Sequence, residues 1–382
     1  MKIGILTFHR SINYGAFMQC YALSHTLQAR YPQHQVEVID FEYLRKHNSY
    51  LKPAKQLPFG PEYYVKYRRF QSDLKRLNLS DESFITNDTD SLCEYIKSHY
   101  DVVIVGSDAV WAFQKKMPID NPYWLFGKKL NGVVKMSYAA SAFTTIFDQV
   151  TREERDAIRE SLSDFYYIGV RDIPTQKFIQ ELSVEKKVHI NHDPTFFLEP
   201  ANDKKMAQRT LRKNLVFGDK PKISFMTRLM PHMNEVRNHL HKDYQLLHFY
   251  TRDNMRGDLK DFRCRFLTNL SPFEWYNLYS QMSLNLTYFF HGACLALINH
   301  IPTIAIDDAT VPYMSKYAQL MNDLGLQDNL FSHKDLNGEA LLSRIDYLLS
   351  HQEEEKGRIV QAIAKERQKS ESFFQHIDVI LN

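Results

Sequence analysis

The sequence predicts an α/β chain of two open parallel-sheet domains facing each other across a cleft. Three observations carry this. Apolar runs of strand length recur and are separated by segments of helix length, the alternation that gives a parallel sheet with helices on both faces. The series occurs twice, before and after a polar stretch broken by Pro and Gly, "LEPANDKKMAQRTLRKNLVFGDKP" at 198–221. A length of 382 residues suits two domains, and 44% hydrophobic with 24% charged residues can bury their cores.

The first series has runs at 2–7, 35–40, 101–105, 133–138 and 166–170. The second has runs at 222–227, 244–250, 263–267, 284–288 and 302–306. These place Rossmann-like domains at 1–200 and 215–350, with a long polar helix over about 337–377 and a C-terminal helix at 351–382. Ser271-Pro272-Phe273-Glu274 is a helix start: a capping Ser, Pro at the first helical position and Glu three residues after the cap. A helical insertion, basic and aromatic, interrupts the first domain over about 45–90. Between 45 and 77 it carries nine Lys/Arg against Glu62 and Asp73, interleaved with Tyr50, Tyr63, Tyr64, Tyr67 and Phe70. Either this is a solvated basic face, or it touches anionic lipid head groups or an acceptor's phosphates. No repeat of 20–50 residues is visible.

The totals exclude several classes. No run reaches the roughly 18 apolar residues of a membrane span. The opening "MKIGILTFHR" reads as a strand rather than a signal peptide. Cys20, Cys93, Cys264 and Cys294 are scattered with no CxxC pair, so neither a disulfide scaffold nor a structural metal site is expected, and a reducing cytoplasm is. A net charge of +3 argues against nucleic acid as a partner. The 25 Phe and 22 Tyr are partly core, but such a chain could also line a sugar-binding cleft.

Four strand ends carry polar chemistry. After the first run comes "TFHRSINYGAFMQCYAL" (7–23), where Asn13 and Gly15 suit a tight turn with positive φ. The helix from about Ala16 would present its positive end as an anion site, or the segment is an ordinary strand–turn–helix join. In "DVVIVGSDAVW" (101–111), Gly106 permits close ligand approach, Ser107 and Asp108 offer hydrogen bonds and Trp111 a stacking face. The alternative is a Ser/Asp cap on a following helix. "SYAASAF" (137–143) ends another strand with small residues and the Ser141 hydroxyl. In the second domain, "NLTYFFHGACLALINHIPTIAI" (285–306) puts His291 where a buried run ending near Phe290 hands over, through Gly292, to a helix from near Ala293. It is either a satisfied interior histidine or a proton-handling group at the carboxyl end of a strand.

Taken in order, "NYGAFMQCYAL", "VIVGSDAVW", "SYAASAF", "GVRD" (169–172), "DPTFFL" (193–198) and "FHGACLAL" resemble the polysaccharide pyruvyl transferase family, over nearly the whole chain to about Leu330. The resemblance implies a fold similar to the two-domain GT-B glycosyltransferases. It also implies transfer of pyruvate from phosphoenolpyruvate onto two hydroxyls of a sugar as a ketal. The family's N-Y-G-x-x-x-Q element matches Asn13, Tyr14, Gly15 and Gln19. Its G-S-D-x-x-W element matches Gly106, Ser107, Asp108 and Trp111, and its Y-A-x-S element matches Tyr138, Ala139 and Ser141. Many members carry T-D-S-F-H-G in the second domain. Here Thr287, Phe290, His291 and Gly292 match, and Tyr288 and Phe289 replace the Asp and Ser. In members with R-x-H the Arg would fall on Phe289. Ser315-Lys316 matches a later Ser-Arg/Lys pair, and Lys316 is then the expected cation for a phosphate or carboxylate. The resemblance implies His291 as the catalytic group and the other matched residues as substrate-binding, with no metal and no cofactor beyond phosphoenolpyruvate as donor. It implies a lipid-linked or polymeric glycan acceptor; the cysteines point to the cytoplasm, and the lipid-touching alternative for the basic insertion would put the enzyme at the inner face of the membrane. Two other readings stay open: a GT-B nucleotide-sugar glycosyltransferase, with Asp307 and Asp308 nearest to serve a ribose, and a non-catalytic glycan-binding relative.

Overall fold

The computed structural model describes residues 1–50, 52, 60–112, 121–226, 232–249, 263–267, 269–307 and 315–382. Lys55, Thr227, Tyr250, Asp308 and the side chain of Glu62 lie outside the described residues. The chain forms two compact units. One is Met1–Phe197 together with Arg367–Asn382, and the other is Leu198–Glu366.

The first unit holds a seven-stranded sheet of β1 (Lys2–Leu6), β2 (Gln35–Tyr43), β3 (Leu79–Thr86), β4 (Val102–Val105), β5 (Val134–Ala140), β6 (Phe165–Val170) and β7 (Val188–Ile190). Its order is β3-β2-β1-β4-β5-β6-β7, and every neighbouring pair is parallel. Helices on both faces bury the central strands, which is why β1 and β4 read as unbroken apolar runs. The edge strands β3 and β7 are additions to the sequence reading. β3, "LSDESFIT", is largely solvent-facing, and β7 is three residues long. The segment read as insertion over 45–90 therefore ends in sheet. Its helices are Leu44–Tyr50 and Gly60–Asp73.

The second unit holds a six-stranded sheet of β8 (Lys222–Met226), β9 (Gln245–Phe249), β10 (Cys264–Leu267), β11 (Met282–Thr287), β12 (Thr303–Asp307) and β13 (Leu330–Ser332). Its order is β10-β9-β8-β11-β12-β13, again all parallel. Its core joins Ile223, Phe225, Leu284, Leu286, Ile304 and Ile306 to helix residues such as Val236, Leu341 and Ile345. The helix at Pro272–Leu278 starts on the capping box of Ser271 and Glu274. The stretch read as a connection, 198–221, contains the helix Lys204–Lys213, part of this unit.

The single C-terminal helix expected over 351–382 is instead two. Gln352–Arg367 and Glu371–Leu381 are joined by a 3-10 turn at Gln368–Ser370. The break returns the last helix to the first unit, where Phe373, Phe374 and Ile377 join a core with Ile3, Ile5 and Tyr138.

Candidate functional site

Each sheet reverses its strand order once, between β1 and β4 and between β8 and β11. Beyond the carboxyl ends at such a reversal, neighbouring loops run in opposite directions and open a crevice where ligands bind. Most of the sequence-selected residues follow strands at these two places; Ser141 follows β5, and Ser315 and Lys316 come after β12.

In the second unit, β11 ends at Thr287, paired with Met226 at the end of β8. Thr287 Oγ1 accepts from Phe289 N at 2.9 Å, bending the chain into the helix Phe290–Ile298. The strand thus stops three residues before the expected Phe290, and the helix starts three before the expected Ala293. Gly292 is not a turn residue. A Cβ there would come within 2.9 Å of Thr287 Oγ1 and 3.2 Å of Tyr279 Oη, so its smallness seats the helix against the strand. His291, half-buried, lies in the first helical turn, at the positive end of the helix dipole. Its ring meets Phe290 edge-on at 5.3 Å, and Lys316 Nζ sits 5.5 Å from the same ring's centre. His291 and Lys316 therefore flank one aromatic side chain. Thr287, Gly292 and Ser315 shape the backbone around them. Ser315 caps its helix by accepting from Ala318 N at 3.0 Å, and Tyr317 Oη donates to Tyr288 O.

In the first unit, Asn13 caps the helix Tyr14–Arg30 by accepting from Gly15 N and Ala16 N. Asn13 has φ −137° and Gly15 is helical, so the expected positive-φ turn is absent and the helix starts at Tyr14. Gln19 ties two strand ends together. Its amide donates to Thr7 Oγ1 at 3.0 Å, its carbonyl accepts from Ser107 N at 3.2 Å, and Thr7 Oγ1 donates to Ser107 O at 3.0 Å. Gly106 has φ +110°, and a Cβ there would sit 2.4 Å from Tyr138 O. Its smallness serves packing on β5. Asp108, at φ +78°, is held in the left-handed region by Ser141 N donating to its carbonyl at 3.0 Å. Trp111 offers no stacking face. It is fully buried, stacks on Trp124 at 4.7 Å and donates from Nε1 to Tyr123 O. Ser141, also buried, turns its hydroxyl to Phe143 N at 3.0 Å.

The structure adds His9, Arg10 and Asp40, which the sequence reading missed, and gives partners to Arg171, Lys46 and Lys66, which it held only inside motifs or the basic segment. His9 Nε2 lies 2.8 Å from Asp40 Oδ1, and Arg10 donates to both Asp40 oxygens. Burial pushes the Asp40 carboxyl up, but hydrogen bonds and charge from His9 and Arg10 outweigh it and hold it below the usual carboxylate range. Arg171, buried, donates to Asp193 Oδ2 at 2.9 Å and approaches Asp108 Oδ1 at 3.9 Å. Lys46, from the insertion, lies over the Phe8 ring at 3.9 Å. Burial lowers its pKa, against the pull of Glu42 and Asp108. Lys66 packs over Tyr14 at 4.6 Å. These two lysines depart from a purely solvated basic face. The available signal was polar residues after one strand-like run ("THR" interrupted by Phe8) and an acid closing the next ("EVID").

Among the described residues no group of His, Cys, Asp or Glu could hold a metal ion, and the four cysteines are free and buried. No helix there is long and apolar enough to cross a membrane.

Comparison with solved structures finds the same two-sheet architecture. A glycosyltransferase from Rickettsia africae is 12% identical with TM-score 0.61, over 100% of this chain and 99% of its own. HepE of Anabaena, solved with UDP, is 9% identical with TM-score 0.56, over 100% and 98%. ADP-heptose LPS heptosyltransferase II of Escherichia coli is 14% identical with TM-score 0.50, over 92% and 100%. At these identities the likeness shows a GT-B-like fold and nothing of substrate. No curated protein matches. The family model for polysaccharide pyruvyl transferase matches residues 13–309, from Asn13 past the loop after β4 and through His291, and the chain therefore belongs to the polysaccharide pyruvyl transferase family.

Proposed function

We propose that the protein transfers pyruvate from phosphoenolpyruvate to a sugar of a cell-surface polysaccharide precursor and forms a ketal. The observation that carries this is the pairing of His291 and Lys316 around Phe290 at the carboxyl end of β11. Phosphoenolpyruvate becomes electrophilic at C2 when its methylene carbon is protonated. In this reading the His291 imidazolium hands a proton to that carbon while one sugar hydroxyl adds to C2. The ring then recovers a proton from the added hydroxyl. The second hydroxyl attacks C2, the C2–O bond to phosphate breaks, and phosphate leaves with that hydroxyl's proton. Methyl, carboxylate and two sugar oxygens remain on C2, so atoms and charge balance. Lys316 and the positive end of the helix at Phe290 hold the donor's phosphate or carboxylate. Asn13, Tyr14, Gly15, Gln19, Gly106, Ser107, Asp108 and Ser141 belong to substrate binding, either directly or by fixing the loops that do it. The acceptor is lipid-linked or polymeric, and the enzyme works in the cytoplasm at the inner face of the membrane.

The test is phosphate release from phosphoenolpyruvate with a panel of lipid-linked and nitrophenyl glycosides. The expected result is release that depends on the acceptor and is abolished in His291→Ala, with less than about 2 kcal/mol of stability lost in urea unfolding. Wild-type turnover per folded molecule in the variant would return His291 to the interior. Sugar transfer from a UDP- or GDP-sugar would replace the donor, and glycan binding without phosphate release would replace the enzyme by a binding protein.

A further inference from the structure

The helix Lys204–Lys213 and the loop after it expose an unusual surface. The helix ends with Asn214 N donating to Thr210 O and Val216 N donating to Leu211 O at 2.9 Å. Leu215 sits between them at φ +57°, a position where glycine is usual. Its side chain is 61% exposed, and Phe217, two residues on, is 62% exposed; among the described large hydrophobic residues only Val379 is more so. The loop is nonetheless ordered. Arg265 Nε donates to Asn214 O at 2.7 Å, Gln245 Nε2 donates to Phe217 O, and Lys220 Nζ donates to Lys242 O. Cations flank the two apolar tips in the sequence. Residues 204–222 contain seven Lys/Arg against one acid, Asp219. Lys204, Lys205, Arg209, Arg212 and Lys220 are exposed.

We propose that this surface seats the second unit on an anionic bilayer, with Leu215 and Phe217 entering the boundary between head groups and acyl chains. Isolated apolar tips on a pinned turn, in a segment rich in exposed cations, suit a lipid surface of negative charge. The strongly basic flank supplies the charge complementarity. The insertion over 45–77 was the sequence's own candidate for such contact, but Lys46 and Lys66 there are packed against Phe8 and Tyr14. The proposal uses no residue of the candidate site. The loop enters β8 at its amino end, whereas His291 follows the carboxyl end of its neighbour β11. A strand of this length puts about 16 Å between the two ends.

The experiment is flotation of the full chain with vesicles of phosphatidylcholine alone, and of phosphatidylcholine mixed with phosphatidylglycerol in roughly equal parts. Binding is expected only to the mixed vesicles and should weaken as salt rises. Leu215→Ser with Phe217→Ser, and separately Arg209→Glu with Arg212→Glu, should each weaken it about tenfold or more. Thermal melting should be unchanged, because these side chains are exposed. The native tryptophans Trp111, Trp124 and Trp275 are buried. Phe217→Trp should therefore report insertion as a blue shift on mixed vesicles only. The proposal is overturned by equal binding to both vesicles, by undiminished binding of both double variants, or by loss that follows Arg68→Glu in the insertion instead. It is also overturned if the double variants change the protein's oligomeric state while vesicle binding is absent. Phosphate release with a soluble glycoside reads the proposed catalysis separately, and it should be unaffected by the double variants.

Discussion

Asp40 shows how one carboxylate organises a loop. It receives His9 and Arg10, both from the segment between β1 and the helix Tyr14–Arg30, and so fixes the start of the Asn13-Tyr14-Gly15 element against β2. Asp40 is nearly fully buried, so removing its charge leaves Arg10 facing a neutral partner in a site with little water. Asp40→Asn should cost about 3–5 kcal/mol at neutral pH. The folded carboxyl titrates below its unfolded value of about 3.9. The unfolded chain therefore binds the proton first, and the stabilisation is complete above that value and lost as pH falls through the folded one. The wild type should lead the variant by a constant margin from about pH 7 to 5, and the margin should shrink below about pH 4. Urea unfolding across that range checks it; a margin that persists to the lowest pH would mean that the carboxyl's charge is not what matters. The pairing was not legible in the sequence, because it depends on β1 and β2 lying side by side. The placing of His291 just after a buried strand was legible, because Leu284, Leu286 and Tyr288 recur at every second position; the strand itself is buried on both faces. Trp111 misled because an aromatic after Gly-Ser-Asp looks like a ligand platform until Trp124, beyond the next loop, covers it.

Central strands announce themselves because burial on both faces leaves few polar residues in them, as in "VVIV" and "KIGIL". β3 and β7 do not, since an edge strand tolerates polar residues and three residues make no pattern. The helix from Phe290 was placed late because Phe289, its cap residue, makes no side-chain capping bond and so gives no start signal. The last helix, Glu371–Leu381, was read as a polar continuation of its predecessor. Its one apolar face, Phe373, Phe374 and Ile377, is what its packing requires. Phe373 is fully buried and its ring lies 4.6 Å from that of Tyr138. Tyr138 in turn bonds Ser370 Oγ and faces His192. Phe373→Ala should therefore destabilise the first unit by about 3–5 kcal/mol. Chemical denaturation followed by far-ultraviolet circular dichroism reads this directly. A change under about 1 kcal/mol would show that the helix packs on the unit without supporting it.

At the scale of the molecule, both units use the same strand order around their reversal points, and the chain passes between units twice, after Phe197 and after Glu366. This makes the second unit one continuous segment and the first unit two. The family match over 13–309 stops short of the returning helix, although that helix completes the core of the sheet on which Asn13 and Asp108 are mounted. The two units should then differ in autonomy. A fragment of 198–366 contains its whole sheet and core, and should unfold cooperatively by itself. A fragment of 1–197 lacks Phe373, Phe374 and Ile377, leaving Ile3, Ile5, Tyr138 and Tyr167 without part of their cover. It should have a lowered urea midpoint and bind hydrophobic dyes. Joining 367–382 to its end through a flexible linker should restore a steep transition, since the same side chains are again available to the same core. Trp111 and Trp124 lie in this fragment and report the transition by fluorescence. If 1–197 alone unfolds as steeply and at the same midpoint as the linked form, the returning helix is an ornament on a finished unit. The division of the chain would then be a simple boundary at Phe197.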